Sequence, residues 1–319
     1  MRLKSRSHFS SIILAAGISK RMYSKTPKIL YKILGKPMIQ FVTDTAKECG
    51  SSEIIVVVGK NFKEVQTVLG NGIKYAIQDP PLGTGDAAKK GIAIASNPHI
   101  LILYGDVPLL KKDTIQMMIE NHFNKGAHLS VLTCRVNNPT GYGRIVRDEN
   151  RNFLKIVEHS DATDEELKIN EINTGIYFGK REEIVRVLEK ITPQNRQKEF
   201  YLTDIVHKLI SERRKVIGFE IKNEEEILGV NTKFDLTRIR EILKRNWFEE
   251  LMKKGVYIED PATTTIDLTV KIGKFVQIRP FTLIEGNTTI NDNEIVGPFV
   301  WIKDGEKMVK GLKDPLKEK

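Results

Sequence analysis

Cysteine is scarce in this chain of 319 residues, which contains only Cys49 and Cys134. Two isolated cysteines provide neither a disulfide framework nor a zinc site, which favours a reducing, cytoplasmic location. Long apolar runs are missing too, because none approaches the roughly 20 residues that a membrane-spanning helix needs. The first residues include a short apolar run after Lys4 and Arg6 but no good cleavage site, so we do not expect a signal peptide.

Signals of nucleic-acid recognition are also absent. The sequence has no arginine-rich arm, zinc finger or aromatic RNA-binding signature. The net charge of +10 comes from basic residues that are spread along the chain and interleaved with acidic ones. This excess favours a solvated basic surface or, alternatively, a field that collects phosphorylated substrates. We therefore expect neither nucleic-acid nor membrane partners.

Short apolar runs alternate with amphipathic segments in the first third of the chain. This pattern predicts an α/β fold with a largely parallel sheet covered on both faces. Ligands of such sheets bind beyond the carboxyl ends of the strands, where Gly17 and Asp106 both lie. The expected strands are 12–14, 53–58, 73–78 and 99–104, and the expected helices are 37–49, 62–69 and 86–96.

Strands separated by loops are expected in the middle of the chain, at 129–135, 153–158, 173–178 and 216–221, with a helix at 203–213. A six-residue repeat follows, which is typical of a parallel β-helix, here of about two coils. We predict a first domain at 1–231, a connecting helix at 232–254, the repeat domain at 255–305 and a basic tail at 306–319. The repeating aliphatic residues are Ile266, Ile272, Ile278, Ile284, Ile290, Val296 and Ile302.

The loop after the first strand has the composition of a phosphate-binding loop. Ala15, Ala16 and Gly17 are small, so backbone N–H groups can approach phosphate and base closely. Arg21 and Lys28 follow, and two cations can neutralise a triphosphate and the charge that develops during phosphoryl-type transfer. Each alone is weak evidence, because surface cations are common, and only their joint spacing after the strand is specific. The spacing fits neither G-x-x-x-x-G-K-[ST] nor G-x-G-x-x-G, which disfavours a P-loop ATPase and a dinucleotide oxidoreductase.

With these motifs the chain resembles the bacterial bifunctional N-acetylglucosamine-1-phosphate uridyltransferase/glucosamine-1-phosphate acetyltransferase family. The resemblance covers nearly the whole chain, with the motifs in the same order. It implies a Rossmann-like, mixed but mainly parallel nucleotidyltransferase domain, followed by a short left-handed parallel β-helix. The shared segments are 14–17, 21–22, 27–28, 78, 82–85, 104–106, 141–145, 156–158, 171–175, 229–231, 260–264 and the repeats.

The resemblance implies UTP and a sugar 1-phosphate as substrates, and Mg²⁺ as the cofactor. Asp106 and Asn231 would hold the metal, and Arg21, Lys28 and Asp106 would be catalytic. The implied nucleotide-binding residues are Leu14, Ala15, Ala16, Gly17, Lys28, Gln78, Gly83 and Thr84. The implied sugar-binding residues are Tyr104, Gly105, Gly141, Glu158 and Asn173.

Structural alternatives remain for three of these residues. Asp106 could cap a turn, Asn173 could be a turn residue at a strand end, and Glu158 could be a surface carboxylate. A transferase for another hexose 1-phosphate and a non-catalytic regulatory subunit also stay open as functions.

The sequence departs from the family pattern in three places. Ser19 and Lys20 stand where Gly-Thr is usual, and Asp86 replaces a usual histidine. The repeat ends after Ile302, whereas the family's acetyltransferase residues lie in later coils. We therefore expect a C-terminally truncated form that retains uridyltransferase activity and lacks acetyltransferase activity.

Association of the chain through the β-helix is possible. The aromatic residues of the repeat domain could mark a contact face between copies or simply an interface between domains. These residues are Phe275, Phe281, Phe299 and Trp301.

Overall fold

The computed structural model describes residues 8–17, 20–60 and 62–308. The chain forms two compact units, of which one comprises Met1–Leu30 with Met38–Asn231 and the other Tyr31–Pro37 with Thr232–Lys319. The segment 31–37 thus groups with the C-terminal unit, whereas a continuous first domain at 1–231 was predicted from the sequence. Part of the expected basic tail, 309–319, lies outside the described residues.

Eleven strands and seven α-helices lie in the described residues up to 231. The strands are β1 (Phe9–Leu14), β2 (Lys32–Ile33), β3 (Lys36–Pro37), β4 (Glu53–Val58), β5 (Lys74–Ile77), β6 (His99–Tyr104), β7 (Leu129–Arg135), β8 (Arg144–Arg147), β9 (Phe153–Val157), β10 (Glu171–Lys180) and β11 (Val216–Ile221). The helices are α1 (Met38–Glu48), α2 (Phe62–Leu69), α3 (Thr84–Ala93), α4 (Lys112–Asn124), α5 (Asp164–Leu167), α6 (Arg181–Leu188) and α7 (Asp204–Ser211).

A mixed, mainly parallel sheet forms the centre of the first unit. Its strand order is β11-β7-β10-β6-β1-β4-β5, with β8 attached to β10 and β9 attached to β8. Strands β6, β1, β4 and β5 run parallel to one another, as do β7 and β11, whereas β10 runs antiparallel to β6 and β7. The α/β class and the mainly parallel sheet expected from the sequence are thereby confirmed.

Both faces of this sheet are covered, which explains the continuous apolar strands. Neighbouring residues of a strand point to opposite faces, and Ile12 and Ile13 are both fully buried. Ile13 packs in the cluster that includes Val42 of α1 and Met118 of α4. Ile12 packs in the cluster that includes Ile92 of α3. The sheet therefore has helices on both sides and offers solvent mainly its strand ends.

Short parallel strands build the second unit. After the helix α8 (Lys233–Lys253), the chain forms β12 (Tyr257–Ile258), β13 (Thr265–Ile266), β14 (Lys271–Ile272), β15 (Gln277–Ile278), β16 (Thr282–Glu285), β17 (Thr289–Ile290), β18 (Ile295–Val296), β19 (Val300–Lys303) and β20 (Glu306–Lys307). Three sets of these strands pair in parallel, namely β12-β15-β18, β13-β16-β19 and β14-β17.

This pairing is that of the first coils of a parallel β-helix. Ile266 pairs with Ile284, and Ile284 pairs with Ile302 one coil later. All three side chains are buried in the core of the unit. The strand β20 folds back antiparallel on β19 and ends the parallel ladder on that face. The six-residue period therefore places one aliphatic side chain per face in the interior.

A small hairpin belongs to the same unit. Strands β2 and β3 pair antiparallel, and the backbone N–H of Leu268 donates to the carbonyl of Leu34 at 3.0 Å. Gly35 has a φ of +78°, and a Cβ at that position would lie 2.6 Å from Oδ2 of Asp267. Only glycine combines this backbone conformation with such a close approach.

In the ranges that the structure describes, no helix combines the length and the apolarity needed to cross a membrane.

Candidate active site

The carboxyl ends of β1, β5 and β6 meet at one edge of the sheet, because these strands belong to its parallel part. Ala15 follows β1, Gln78 follows β5, and Gly105 and Asp106 follow β6. The N–H of Gly105 donates to the carbonyl of Leu14 at 2.9 Å, which joins the ends of β1 and β6. Crevices at such strand ends are the usual ligand sites of open α/β sheets.

Lys28 lies at the centre of a polar cluster at this edge. Its Nζ forms a short ion pair with Oδ2 of Asp106. The same Nζ donates to the carbonyl of Val230 at 3.0 Å and to Oδ1 of Asn231 at 3.2 Å. Lys28 is held in place because it opens a 3₁₀ helix in which the next residue, Ile29, is buried. The structure thus brings together three of the residues singled out from the sequence.

A backbone contact explains why Asn231 reaches Asp106 from a distant part of the chain. The N–H of Val230 donates to the carbonyl of Asp106 at 2.9 Å. This bond fixes residues 230 and 231 beside the end of β6. Asp106 therefore does more than cap a turn, since its side chain and its carbonyl hold two separate segments.

The donor set fits a hard divalent cation. Oδ2 of Asp106 and Oδ1 of Asn231 both contact the ammonium group of Lys28, so the two oxygens converge on one position suited to positive charge. Mg²⁺ binds through one or two protein oxygens together with substrate phosphates. In the described ranges, no group of three or more His, Cys, Asp or Glu side chains could hold a metal. The magnesium prediction therefore depends on Asp106 and Asn231.

A cavity of about 580 Å³ lies beside the loop after β1 and is lined by Ala16, Gly17, Gln78 and neighbouring residues. Leu14, Ala15 and Ala16 are buried, whereas Gly17 is exposed. Arg21 is exposed, and no partner for its side chain is found among the described residues. Ser19 lies outside the described residues, and so does the side chain of Lys20. The predicted phosphate loop therefore borders an open space.

Gln78 is a buried residue in the wall of this cavity. Its Nε2 donates to the carbonyl of Gly83 at 2.9 Å and to Oδ2 of Asp86 at 2.8 Å. The hydroxyl of Thr84 accepts from the N–H of Leu202 at 3.0 Å. Gln78, Gly83 and Thr84, which were all predicted to bind the nucleotide, are therefore neighbours, and the side chains of Gln78 and Thr84 are fixed by hydrogen bonds within the protein.

The predicted sugar residues Tyr104 and Asn173 meet around a glycine. Because β10 runs antiparallel to β6, its first residues lie where β6 ends. Gly175 has a φ of +80°, and a Cβ there would lie 2.4 Å from the ring of Tyr104. Nδ2 of Asn173 donates to the hydroxyl of Tyr177 at 2.8 Å, and its Oδ1 accepts from the N–H of Gly175 at 3.1 Å. Asn173 is therefore a buried, oriented amide.

Glu158 follows β9 and is only partly exposed. The hydroxyl of Thr203 donates to its Oε1 at 2.9 Å. Burial raises the pKa of this carboxyl group, the bond from Thr203 opposes the rise, and the charge of Asp204 adds to it. Gly141 lies in an exposed turn with a φ of +84°. A half-buried carboxylate held by a hydroxyl can accept further hydrogen bonds from a ligand.

Comparison with known proteins agrees with this fold. Residues 11–164 match the family model of the MobA-like NTP transferase domain. The solved structure of UDP-glucose pyrophosphorylase complexed with UDP-glucose superimposes with a TM-score of 0.64 at 18% identity, covering 75% of this chain and 99% of that one. The first unit therefore has the mixed α/β fold of nucleotidyltransferases.

Sequence relatives give the family. The bifunctional protein GlmU of Caldanaerobacter subterraneus subsp. tengcongensis is 42% identical over 295 residues, which is 92% of this chain and 64% of the relative. The bifunctional protein GlmU of Exiguobacterium sibiricum is 38% identical over 301 residues, which is 94% of this chain and 67% of the relative. The chain belongs to the GlmU family and spans roughly two thirds of the length of these relatives.

Several contacts at this site have no signal in the sequence. The carbonyl of Val230 accepts a hydrogen bond from Lys28, and Asp86 accepts one from Gln78. Tyr177 accepts a hydrogen bond from Asn173, and Thr203 donates one to Glu158. None of these partners belongs to a recognisable motif with the residue that it supports. Asp86 alone was noticeable, as a departure from the family pattern.

Proposed function

We propose that this chain transfers a uridylyl group from UTP to N-acetylglucosamine 1-phosphate and releases pyrophosphate. The observation that carries the proposal is the convergence of Lys28, Asp106 and Asn231 at the end of β6. This cluster lies at the same sheet edge as the small-residue loop after β1. Family membership supports the choice of UTP and of an N-acetylated sugar phosphate.

The reaction needs an in-line displacement at phosphorus. A phosphate oxygen of the sugar 1-phosphate forms a bond to the α-phosphorus of UTP. The bond between that phosphorus and the oxygen bridging to the β-phosphate breaks, and pyrophosphate leaves with the electron pair. The attacking oxygen is already ionised, so no general base is required. Catalysis of this kind depends on positioning and on neutralising charge.

Each predicted residue has a matching task in this proposal. Lys28 supplies a fixed cation beside the reacting phosphates, and Arg21 supplies an exposed cation at the rim of the loop. Asp106 and Asn231 would hold Mg²⁺, which when bound neutralises charge on the triphosphate and on the leaving pyrophosphate. Glu158 and Asn173 would accept from and donate to the sugar. Burial of Asn173 and partial burial of Glu158 support this role, because they restrict the orientation of both side chains before the substrate binds.

A cytoplasmic location is part of the proposal, since Cys49 and Cys134 are both free thiols. Unpaired buried cysteines suit a reducing compartment.

Pyrophosphate release with Mg²⁺ tests the proposal. The panel combines UTP, dTTP, CTP, ATP and GTP with N-acetylglucosamine, glucosamine and glucose 1-phosphates. We expect the highest kcat/KM for UTP with N-acetylglucosamine 1-phosphate. Asp106→Asn should abolish most of the turnover, whereas Asp113→Asn, at an exposed carboxylate on α4, should not. A higher kcat/KM for another pair of substrates would show that the chain is a different transferase. The absence of product from every pair would favour a non-catalytic subunit.

A further inference from the structure

The amide of Gln78 is a buried polar group in the wall of the cavity. Only 3% of this residue is exposed, and it lines the cavity together with Ala16 and Gly17. The backbone N–H of Gln78 donates to the carbonyl of Val58 at 2.8 Å, which fixes the start of the side chain. The end of the side chain is fixed separately, by two hydrogen bonds.

These two bonds both involve the NH₂ end of the amide. Nε2 carries two hydrogens, and it donates one to the carbonyl of Gly83 and one to Oδ2 of Asp86. A carbonyl oxygen and a carboxylate oxygen can only accept, so both require the NH₂ end of the amide. In the described part of the chain, no group donates to Oε1 of Gln78. The amide therefore keeps unused capacity at its acceptor end alone.

We infer that Asp86 positions the Gln78 amide so that it offers a nucleobase only an acceptor, and thereby selects uracil over cytosine. Uracil presents a donor at N3–H, whereas N3 of cytosine is an acceptor. Oε1 of Gln78 accepts a hydrogen bond from N3–H of uracil, whereas at cytosine it faces a second acceptor, N3. A site built to bond a donor discriminates strongly against an analogue that lacks it, because the buried acceptor is left unpaired. The inference rests on the proposed function and identifies a positioning residue for the same site.

A purely structural role for Asp86 makes a different prediction. Asp86 lies in the first turn of α3, where a negative charge also stabilises a helix. Its loss would then lower the stability of the protein and leave the choice between UTP and CTP unchanged. The ratio of kcat/KM for the two nucleotides separates the roles, since UTP and CTP carry the same ribose and triphosphate.

The test measures this ratio in the full chain with N-acetylglucosamine 1-phosphate and Mg²⁺. We expect Asp86→Ala to lower the preference for UTP by about tenfold or more, the effect of one buried hydrogen bond. Asp86→Asn should keep most of the preference, because its amide oxygen still accepts from Nε2. Asp86→Lys should lose the preference, because an ammonium group cannot accept. Asp113→Ala on α4 is the matched control and should leave the ratio unchanged.

Failure of the inference and failure of the proposed function give different results. Suppose that the wild-type chain uses UTP, and that the ratio of kcat/KM for UTP to that for CTP in Asp86→Ala or Asp86→Lys stays within about twofold of the wild-type ratio. The inference is then overturned and the proposed function stands. If the wild-type chain forms no product, the function fails, and equilibrium binding of UTP and CTP without sugar phosphate replaces the rates. An absence of preference for UTP in the wild type, or a preference that Asp86→Ala retains, then overturns the inference.

Discussion

Replacing Lys28 by methionine keeps the length of the side chain and removes the charge. The variant loses the ion pair with Asp106 and the bonds to Val230 and Asn231. The side chains of Lys28 and Asp106 are 15% and 18% exposed, so water replaces the lost contacts only in part. We expect the free energy of unfolding to fall by about 1–3 kcal/mol. A domain of ordinary stability, about 5–15 kcal/mol, stays folded after such a loss.

The expected effect on turnover is larger. Removing one preorganised group that stabilises developing charge costs roughly 10²–10³ in rate, which corresponds to about 2.7–4 kcal/mol of activation free energy. The loss of activity should therefore exceed what partial unfolding can explain. Pyrophosphate release measures the rate, and urea unfolding followed by circular dichroism measures the stability of the same preparation.

Lys89→Met provides the control, since Lys89 is an exposed lysine on α3 of the same unit. It should keep both the rate and the stability of the wild type. If Lys28→Met retained a rate within about fivefold of the wild type, Lys28 would not neutralise charge in the reaction as we propose.

Three further predictions concern stability and sugar binding. Hydrogen bonds from Lys74 and two serines outweigh the effect of burial and lower the pKa of Glu53 from 4.5 to about 2, so its contribution, up to roughly 3 kcal/mol, is complete above pH 4.5 and is lost as the pH falls toward 2. Urea unfolding should show a loss of roughly 2 kcal/mol from this group between pH 7 and pH 3 in the wild type, because part of its contribution remains one pH unit above a pKa of about 2. Glu53→Gln should lack this part of the pH dependence, and an equal pH dependence in both proteins would contradict it. Ile284→Ala removes a fully buried side chain and should lower the free energy of unfolding by about 2–5 kcal/mol. Tryptophan fluorescence measures this loss, because both tryptophans belong to the second unit. The same loss in Ile295→Ala, at an exposed position, would show that burial is not its cause. Glu158→Gln should raise KM for the sugar 1-phosphate about tenfold with little change in KM for UTP, and an unchanged sugar KM would remove Glu158 from the sugar site.

The strands of the parallel sheet could be predicted because their signal is local. The apolar runs that became β4 and β6 have the bounds expected from the sequence. Other elements lacked such a signal. The helix α4 was not predicted, because its core-facing residues include the polar His122 alongside Ile115 and Met118. The strand β8 was not predicted either, because it has only four residues and follows a glycine-rich turn.

Part of the candidate site could be predicted from pattern, because Gly17 and Asp106 both follow apolar strands. The association of Lys28, Asp106 and Asn231 in one site was implied only by the resemblance to a family. Lys28 lies 78 positions from Asp106 and 203 from Asn231, and no periodicity relates residues that far apart. The structure places all three in one cluster, while their catalytic and metal-binding roles stay a prediction. The partner of Gln78 shows the limit of pattern reasoning, since Asp86 gained meaning only when its distance to Nε2 was known.

The hairpin at 31–37 affects how this protein can be divided for expression. A fragment that ends at Asn231 would contain Ile33 and Leu34, both buried in the whole chain, without Leu268, whose N–H bonds to the carbonyl of Leu34. The fragment would expose apolar surface and an unpaired carbonyl group, which promote aggregation. A soluble catalytic fragment therefore requires replacement of the hairpin by a polar linker between Leu30 and Met38, in addition to a cut after Asn231.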